Sequence, residues 1–147
     1  MALDDFSQER VTSSFAKQGL MKTLGATLEK VSAGRVEIAI RLTAAISQQH
    51  GFTHAGAVSS IADSAAGYAA LTLAPIDTGV LTTEFKINFI APAVGDRIVA
   101  RGHVVKAGRT LTVAQSEVFA ERAGEETLIA LLTASIMTVA NRVGIAD

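Results

Sequence analysis

Gln48-Gln49-His50-Gly51-Phe52-Thr53-His54-Ala55-Gly56-Ala57-Val58-Ser59-Ser60-Ile61-Ala62-Asp63, running on to Ala74-Pro75, changes character halfway. Up to His54 it is polar and interrupted by glycine, which reads as a loop. From Ala55 to Ala74 it is small and apolar, and Val58, Ile61, Ala62, Ala65 and Ala69 fall on one helical face. Pro75 ends that helix, because proline lacks the amide the ladder needs and disfavours the helical region for Ala74. A polar loop therefore feeds one long helix, and that helix carries a lone carboxylate, Asp63.

Asp is a poor residue for a helix interior, since its short side chain competes with the backbone for hydrogen bonds. Ser59, Ala66 and Gly67 lie one turn from it and Ala70 two, all small, so another backbone or a ligand can approach closely. At the helix start, the amides of Ala55 and Gly56 have no intrahelical acceptor and sit at the positive end of the dipole. The helix can thus hold an oxyanion at its start and offer a carboxylate two turns along. The alternative is a solvated Asp on an ordinary amphipathic helix. Helix chemistry alone leaves both readings open.

A chain of 147 residues suits one domain with a substantial core. With 49% hydrophobic residues, 18% charged residues and a net charge of -1, neither a disordered chain nor a nucleic-acid-binding surface is indicated. No apolar run approaches the roughly 20 residues that span a bilayer. Met1-Ala2-Leu3-Asp4-Asp5 lacks the basic start and apolar stretch of a signal peptide. Cysteine is absent, which removes disulfides, thiolate nucleophiles and Cys-based metal sites. These features lead to the expectation of a cytoplasmic protein, with no membrane or nucleic-acid partner. The low charge also hints that a second subunit covers part of the surface.

Taken in order, Asp4 to Phe15 reads as a short helix within an N-terminal segment, residues 1–20. Met21 to Val31 reads as a first strand broken by Gly25. Val36, Ile38, Ile40 and Leu42 then alternate with Glu37, Ala39 and Arg41, the signature of a half-buried strand. After the long helix, Ile76 to Gly79 is a turn, and Val80 to Ile90 alternates again, with Phe85, Ile87 and Phe89 against Glu84, Lys86 and Asn88. Three further strands follow, Arg97 to Val105, Thr110 to Ala120 and Leu128 to Val139, joined by hairpins at Ala107-Gly108-Arg109 and Ala123 to Glu126. The tail from Asn141 reads as loose. The fold expected is α+β: one long central helix wrapped by an antiparallel sheet of about five to six strands, in a single domain over 1–147.

Gln48, then Gly51, then His54-Ala55-Gly56, then Ile61-Ala62-Asp63 reproduce the spacing of a known motif. In it an amide side chain precedes a glycine, a His-Gly-Gly and a Leu/Ile-Ala-Asp. With Gly79 to Glu84, Asn88 to Ala93, Gly95-Asp96 and Gly108-Arg109-Thr110, the chain resembles the hotdog-fold acyl-CoA thioesterases of the phenylacetate-pathway (PaaI-like) type from about Leu24 to Val139. Two positions depart from the pattern: Gln48 stands where Asn is more frequent, and Ala55 replaces the first Gly. The resemblance implies hydrolysis of an acyl-CoA with an aromatic or medium-chain acyl group, by a homo-oligomer (a dimer or dimer of dimers) whose site is shared between subunits.

It also implies the roles. The Ala55 amide, beside Gly56, is the oxyanion donor, and alanine retains that N–H. Asp63 is the general base or nucleophile, offered across a dimer interface. Gln48 holds water or the thioester carbonyl, and Thr82 occupies a Ser/Thr position near the carboxylate. His54 orders the loop. His50 lies outside the pattern and is a candidate substrate contact. Lys106, Arg109 and Arg101 flank a hairpin near the nucleotide in the family and are candidates for the CoA phosphates, although such charges are commonly just solvated. His103 reads as a surface residue. No metal cluster or cofactor is expected. A hydratase or dehydratase pairing His54 with Asp63, and a non-catalytic acyl-CoA-binding module, are the competing readings.

Overall fold

The computed structural model describes residues 4–147; residues 1–3, the start of the expected N-terminal segment, lie outside the described residues. Helix α1 (Asp5–Lys17) starts at Asp4, whose carboxylate accepts the Ser7 amide at 2.7 Å. The next element corrects the sequence reading. Met21 to Val31 is not one strand: α2 (Gly19–Leu24) ends at Gly25, and β1 is only Thr27–Ser32. Gly25 adopts a φ of +66°, the left-handed conformation that stops a helix. The glycine marks a helix end rather than a break within a strand.

Strand β2 (Arg35–Arg41) buries Val36, Ile38 and Ile40 and exposes Arg35 and Arg41. The neck of the following loop is tied by a short helical turn at Ala44–Ile46, an antiparallel bridge between Ser47 and Thr53, and the His54 amide on the Ile46 carbonyl at 2.8 Å. Helix α3 (Ala55–Leu71) begins where the sequence places it and stops three residues before Ala74. Thr72 explains the early stop. Its hydroxyl donates to the Ala69 carbonyl at 2.7 Å and accepts the Gly34 amide at 2.8 Å, closing the helix onto the β1–β2 turn.

Strands β3 (Thr78–Phe89), β4 (Arg97–Lys106), β5 (Leu111–Arg122) and β6 (Glu125–Ala140) complete a six-stranded antiparallel sheet in the order β1-β2-β4-β5-β6-β3. The β5–β6 turn has positive φ at both Ala123 and Gly124, the two-residue geometry that matches strand twist. Helix α3 lies along the sheet, with Val58, Ile61, Ala62, Ala65, Ala66 and Ala69 buried against it. Contact is so close at Gly102 that an added methyl would come within 2.2 Å of the Ala65 carbonyl oxygen. This wrapped helix is the hotdog arrangement.

Two details position the site. Strand β3 is an outer edge paired only with β6, and its ladder carries a bulge at Thr83, between the pairs Thr82–Ile136 and Glu84–Ser135. Thr82 opposite buried Ile136, and Phe85 opposite buried Ala134, therefore share the helix-facing side. Strict alternation would have put Thr82 with Glu84. The tail is also not loose. Arg10, 8% exposed, donates from Nε to the Asp147 main-chain oxygen at 2.7 Å, from Nη1 to the Ala74 carbonyl at 3.1 Å, and from Nη2 to the Thr78 carbonyl. A buried guanidinium with three carbonyl acceptors holds α1, the α3–β3 turn and the tail together.

Candidate active site

The start of α3 distinguishes the two amides singled out in the sequence. His54 is the N-cap, and its Nδ1 accepts the Gly56 amide at 2.8 Å, which places the imidazole proton on Nε2. The Ala57 and Val58 amides are bonded to the His54 carbonyl. Among the described residues the Ala55 amide has no protein acceptor. It is the free donor, and Gly56 supports the cap.

Gln48 folds over its own loop. Its Oε1 accepts the amides of His50 and Phe52, the latter at 3.3 Å, while its main-chain amide donates to the Phe52 carbonyl at 2.7 Å. The side-chain NH2 is left available to a ligand. His50 is exposed beside it at the loop tip. Gln48, Phe52, His54 and Ala55 line a cleft of 490 Å³ whose opposite wall includes Phe89, Ile90 and Pro92.

Asp63 lies in a different cleft of 300 Å³, half-buried between α3 and the start of β3. The Thr82 hydroxyl donates to its Oδ1 at 2.8 Å, leaving Oδ2 without a protein donor among the described residues. Burial pushes the Asp63 carboxyl above the ordinary value, and the Thr82 hydrogen bond offsets part of that rise. A carboxylate so placed is a stronger base than one in water. Its separation from the Ala55 amide is fixed by the helix: eight residues at 1.5 Å each is about 12 Å along the axis.

The remaining candidates divide. Lys106 and Arg109 are exposed on the β4–β5 hairpin. That hairpin borders Leu111, which pairs with Met137, which pairs with Leu81, so it stands at the Asp63 end of the sheet. Arg101 does not join them. It lies roughly 16 Å back along β4, bonded through Nη1 to Glu126 at 2.8 Å, 3.7 Å from Glu37, and stacked 4.7 Å over the Phe119 ring. No group of three or more potential metal ligands occurs among the described residues.

A family model described as the thioesterase superfamily matches residues 50–127, a span that includes Ala55, Asp63 and Thr82. The chain belongs to the thioesterase superfamily. Membership assigns it to the enzymes that hydrolyse thioesters. It is similar to a thioesterase family protein from Silicibacter pomeroyi, with 49% identity over 92% of this chain and 99% of the other, and a TM-score of 0.90. It also resembles a mutant form of the phenylacetic acid degradation protein PaaI from Thermus thermophilus, at 25% identity, 82% and 98% coverage and a TM-score of 0.70. The PaaI protein of Escherichia coli matches at 20% identity, 99% coverage of both chains and a TM-score of 0.84, a likeness of fold. Among the described residues of this thioesterase-superfamily chain, no helix is long and apolar enough to cross a membrane.

Reading the sequence missed the far side of the Asp63 cleft. Tyr68 of α3 lines it with Ser14 of α1, Gln18 at the α1 C-cap and Asp147 of the tail. One signal was present. Tyr68 is the single tyrosine of the chain, set in a helix of otherwise small residues near Asp63.

Proposed function

We propose that the chain hydrolyses acyl-CoA thioesters at a site assembled from two copies, one giving the Ala55 amide and Gln48, the other Asp63. The observation that carries this reading is the spacing of about 12 Å, in separate clefts, between a free donor amide and a half-buried carboxylate on one helix. A thioester carbonyl is too small to bridge that gap, so productive use of both groups requires a second molecule. The β3 edge beside Asp63 offers the surface for one, with unpaired main chain and Leu81, Phe85, Phe89 and Ile90 each about half exposed. A dimer, or a dimer of dimers, follows.

In this scheme the thioester carbonyl oxygen accepts the Ala55 N–H, where the helix dipole favours developing negative charge. Asp63 Oδ2 takes a proton from water while the water oxygen bonds to the carbonyl carbon. The tetrahedral adduct then collapses, the C–S bond breaks, and the CoA thiolate leaves to be protonated. Direct attack by Asp63, expelling the CoA thiolate to leave a mixed anhydride that water then cleaves to the free acid and the regenerated carboxylate, satisfies the same geometry. Gln48 Nε2 steadies the water or the carbonyl, Thr82 fixes the carboxylate rotamer, and Lys106 and Arg109 meet the CoA phosphates from the Asp63 end. The acyl group is aromatic or medium-chain, and the protein works in the cytoplasm. A His54–Asp63 hydratase pair is disfavoured, because His54 Nδ1 is committed to the Gly56 amide as the helix cap.

The test is thiol release from a panel of acyl-CoAs by the wild type and Asp63→Asn. Turnover should fall by at least about 10² in the variant. Near wild-type turnover by folded Asp63→Asn would remove the mechanism.

A further inference from the structure

The Asp63 cleft has an end wall that the hydrolytic scheme does not use. Gln18 Nε2 donates to the Tyr68 hydroxyl oxygen at 2.8 Å, and Ser14 Oγ lies 3.3 Å from the same oxygen. Ser14 also donates to Asp147 Oδ1 at 2.8 Å, so between Tyr68 and Ser14 the tyrosine must be the donor. Ser64 donates to Gln18 Oε1 at 3.4 Å. Each hydroxyl proton in this network is committed. What remains for a ligand is the second N–H of the Gln18 amide and, in larger measure, acceptor capacity: Asp147 Oδ2, which has no protein donor among the described residues, and Gln18 Oε1, held only by the long Ser64 contact.

The wall is braced. The Tyr68 ring meets Phe15 edge-on at 6.0 Å, and Arg10 fixes the Asp147 main chain at 2.7 Å. Gly67, one turn beyond Asp63, leaves the floor open, since an added methyl there would meet no atom within 4 Å. The cleft of 300 Å³ is at the small end of ligand pockets.

We propose that this wall selects among medium-chain acyl groups: the cleft takes a chain of hexanoyl length bearing a hydrogen-bond donor, such as a hydroxyl, at its far end. The inference rests on Asp63 acting at the thioester, which places the acyl chain over Gly67 and its end against Ser14, Gln18 and Asp147. A plain alkyl end would strip water from these acceptors and give nothing back. A terminal carboxylate would face the charge of Asp147. A long alkyl chain would run into α1.

Hexanoyl-CoA and 6-hydroxyhexanoyl-CoA separate the possibilities, alongside their non-hydrolysable thioether counterparts, hexyl-CoA and 6-hydroxyhexyl-CoA, in calorimetry. The hydroxylated member of each pair should be favoured by about tenfold, the size of one net hydrogen bond. In the Gln18→Leu/Asp147→Ala double variant, which removes both open acceptors, the preference should fall to about one. Gly67→Leu, which improves helix propensity, should lower kcat/KM for both thioesters by filling the floor; thermal melting verifies that each variant folds. Equal affinities for the thioethers in the wild type, or an unchanged preference in the double variant, would overturn the proposal. Preference in thioether binding without turnover of either thioester would leave the acyl wall standing and remove the hydrolytic scheme instead.

Discussion

Two inactive variants should restore activity to each other. Ala55→Pro deletes the donor amide at little structural cost: Ala55 is the first helical residue, its amide has no acceptor among the described residues, and His54 at φ -60° and ψ 137° already has the backbone that precedes proline. Asp63→Asn removes the base. Alone, each should lower turnover by about 10² or more. Joined in one dimer, they behave differently if the site is shared. A two-fold axis creates two equivalent sites; one collects both lesions and the other collects neither, so the heterodimer should show about half the wild-type rate. Were both groups to act within one chain, every site would carry a lesion and the heterodimer would stay at or below about 1%. Co-expression with two different affinity tags, tandem purification and a thiol-release assay give the number. A doubly tagged heterodimer as inactive as its parents would refute the shared site.

The Asp63→Asn variant should also be the more stable protein at neutral pH. The carboxyl is raised by burial, so the folded state holds its proton more tightly than the unfolded chain, and wild-type stability falls as pH climbs from 3.8 through the raised value. Denaturant melts should therefore show the Asn advantage at pH 7 and its disappearance below the ordinary carboxylate range; activity should decline as pH drops through the same raised value. Ser116, fully buried on β5 with no partner for its hydroxyl among the described residues, should be replaceable by Ala with no loss of unfolding free energy, or a gain of about 1 kcal/mol, in urea melts. His54→Ala should lower stability by about 0.5–2 kcal/mol through loss of the cap. His54→Asp, which caps the same amide, should recover most of it in the same melts.

The wrapped helix was legible from sequence because its signals are local: a small apolar face from Val58 to Ala69, a proline stop, and strands with strict alternation. The loop motif was legible because its chemistry depends on spacing, from Gln48 through His54 to Asp63. Three features were not. Gly25 carries the same letter whether it breaks a strand or caps a helix, and only its φ of +66° decides. The bulge at Thr83 inserts one residue with no mark in composition, so the alternation from Phe85 to Phe89 gave no sign that Thr82 shares the face of Phe85. The tail reads as loose because its anchor, Arg10, lies 137 residues away. Long-range polar contacts of this kind leave no periodic trace, and they build the end wall beside Asp63.

The extra residue at Thr83 gives β3 two independent halves, much as a spliced cable keeps the twist of each segment. Val80 and Thr82 take their phase from the helix and Asp63, while Phe85, Ile87 and Phe89 take theirs from the rim beyond the bulge. Substitutions can accumulate in one half without misaligning the other. Deleting one residue cannot be absorbed in this way. It would restore a regular ladder and turn one half of the strand over, sending either the threonine away from the carboxylate or the phenylalanines to the opposite face. Relatives that vary freely in the letters of this strand are therefore expected to agree on its length.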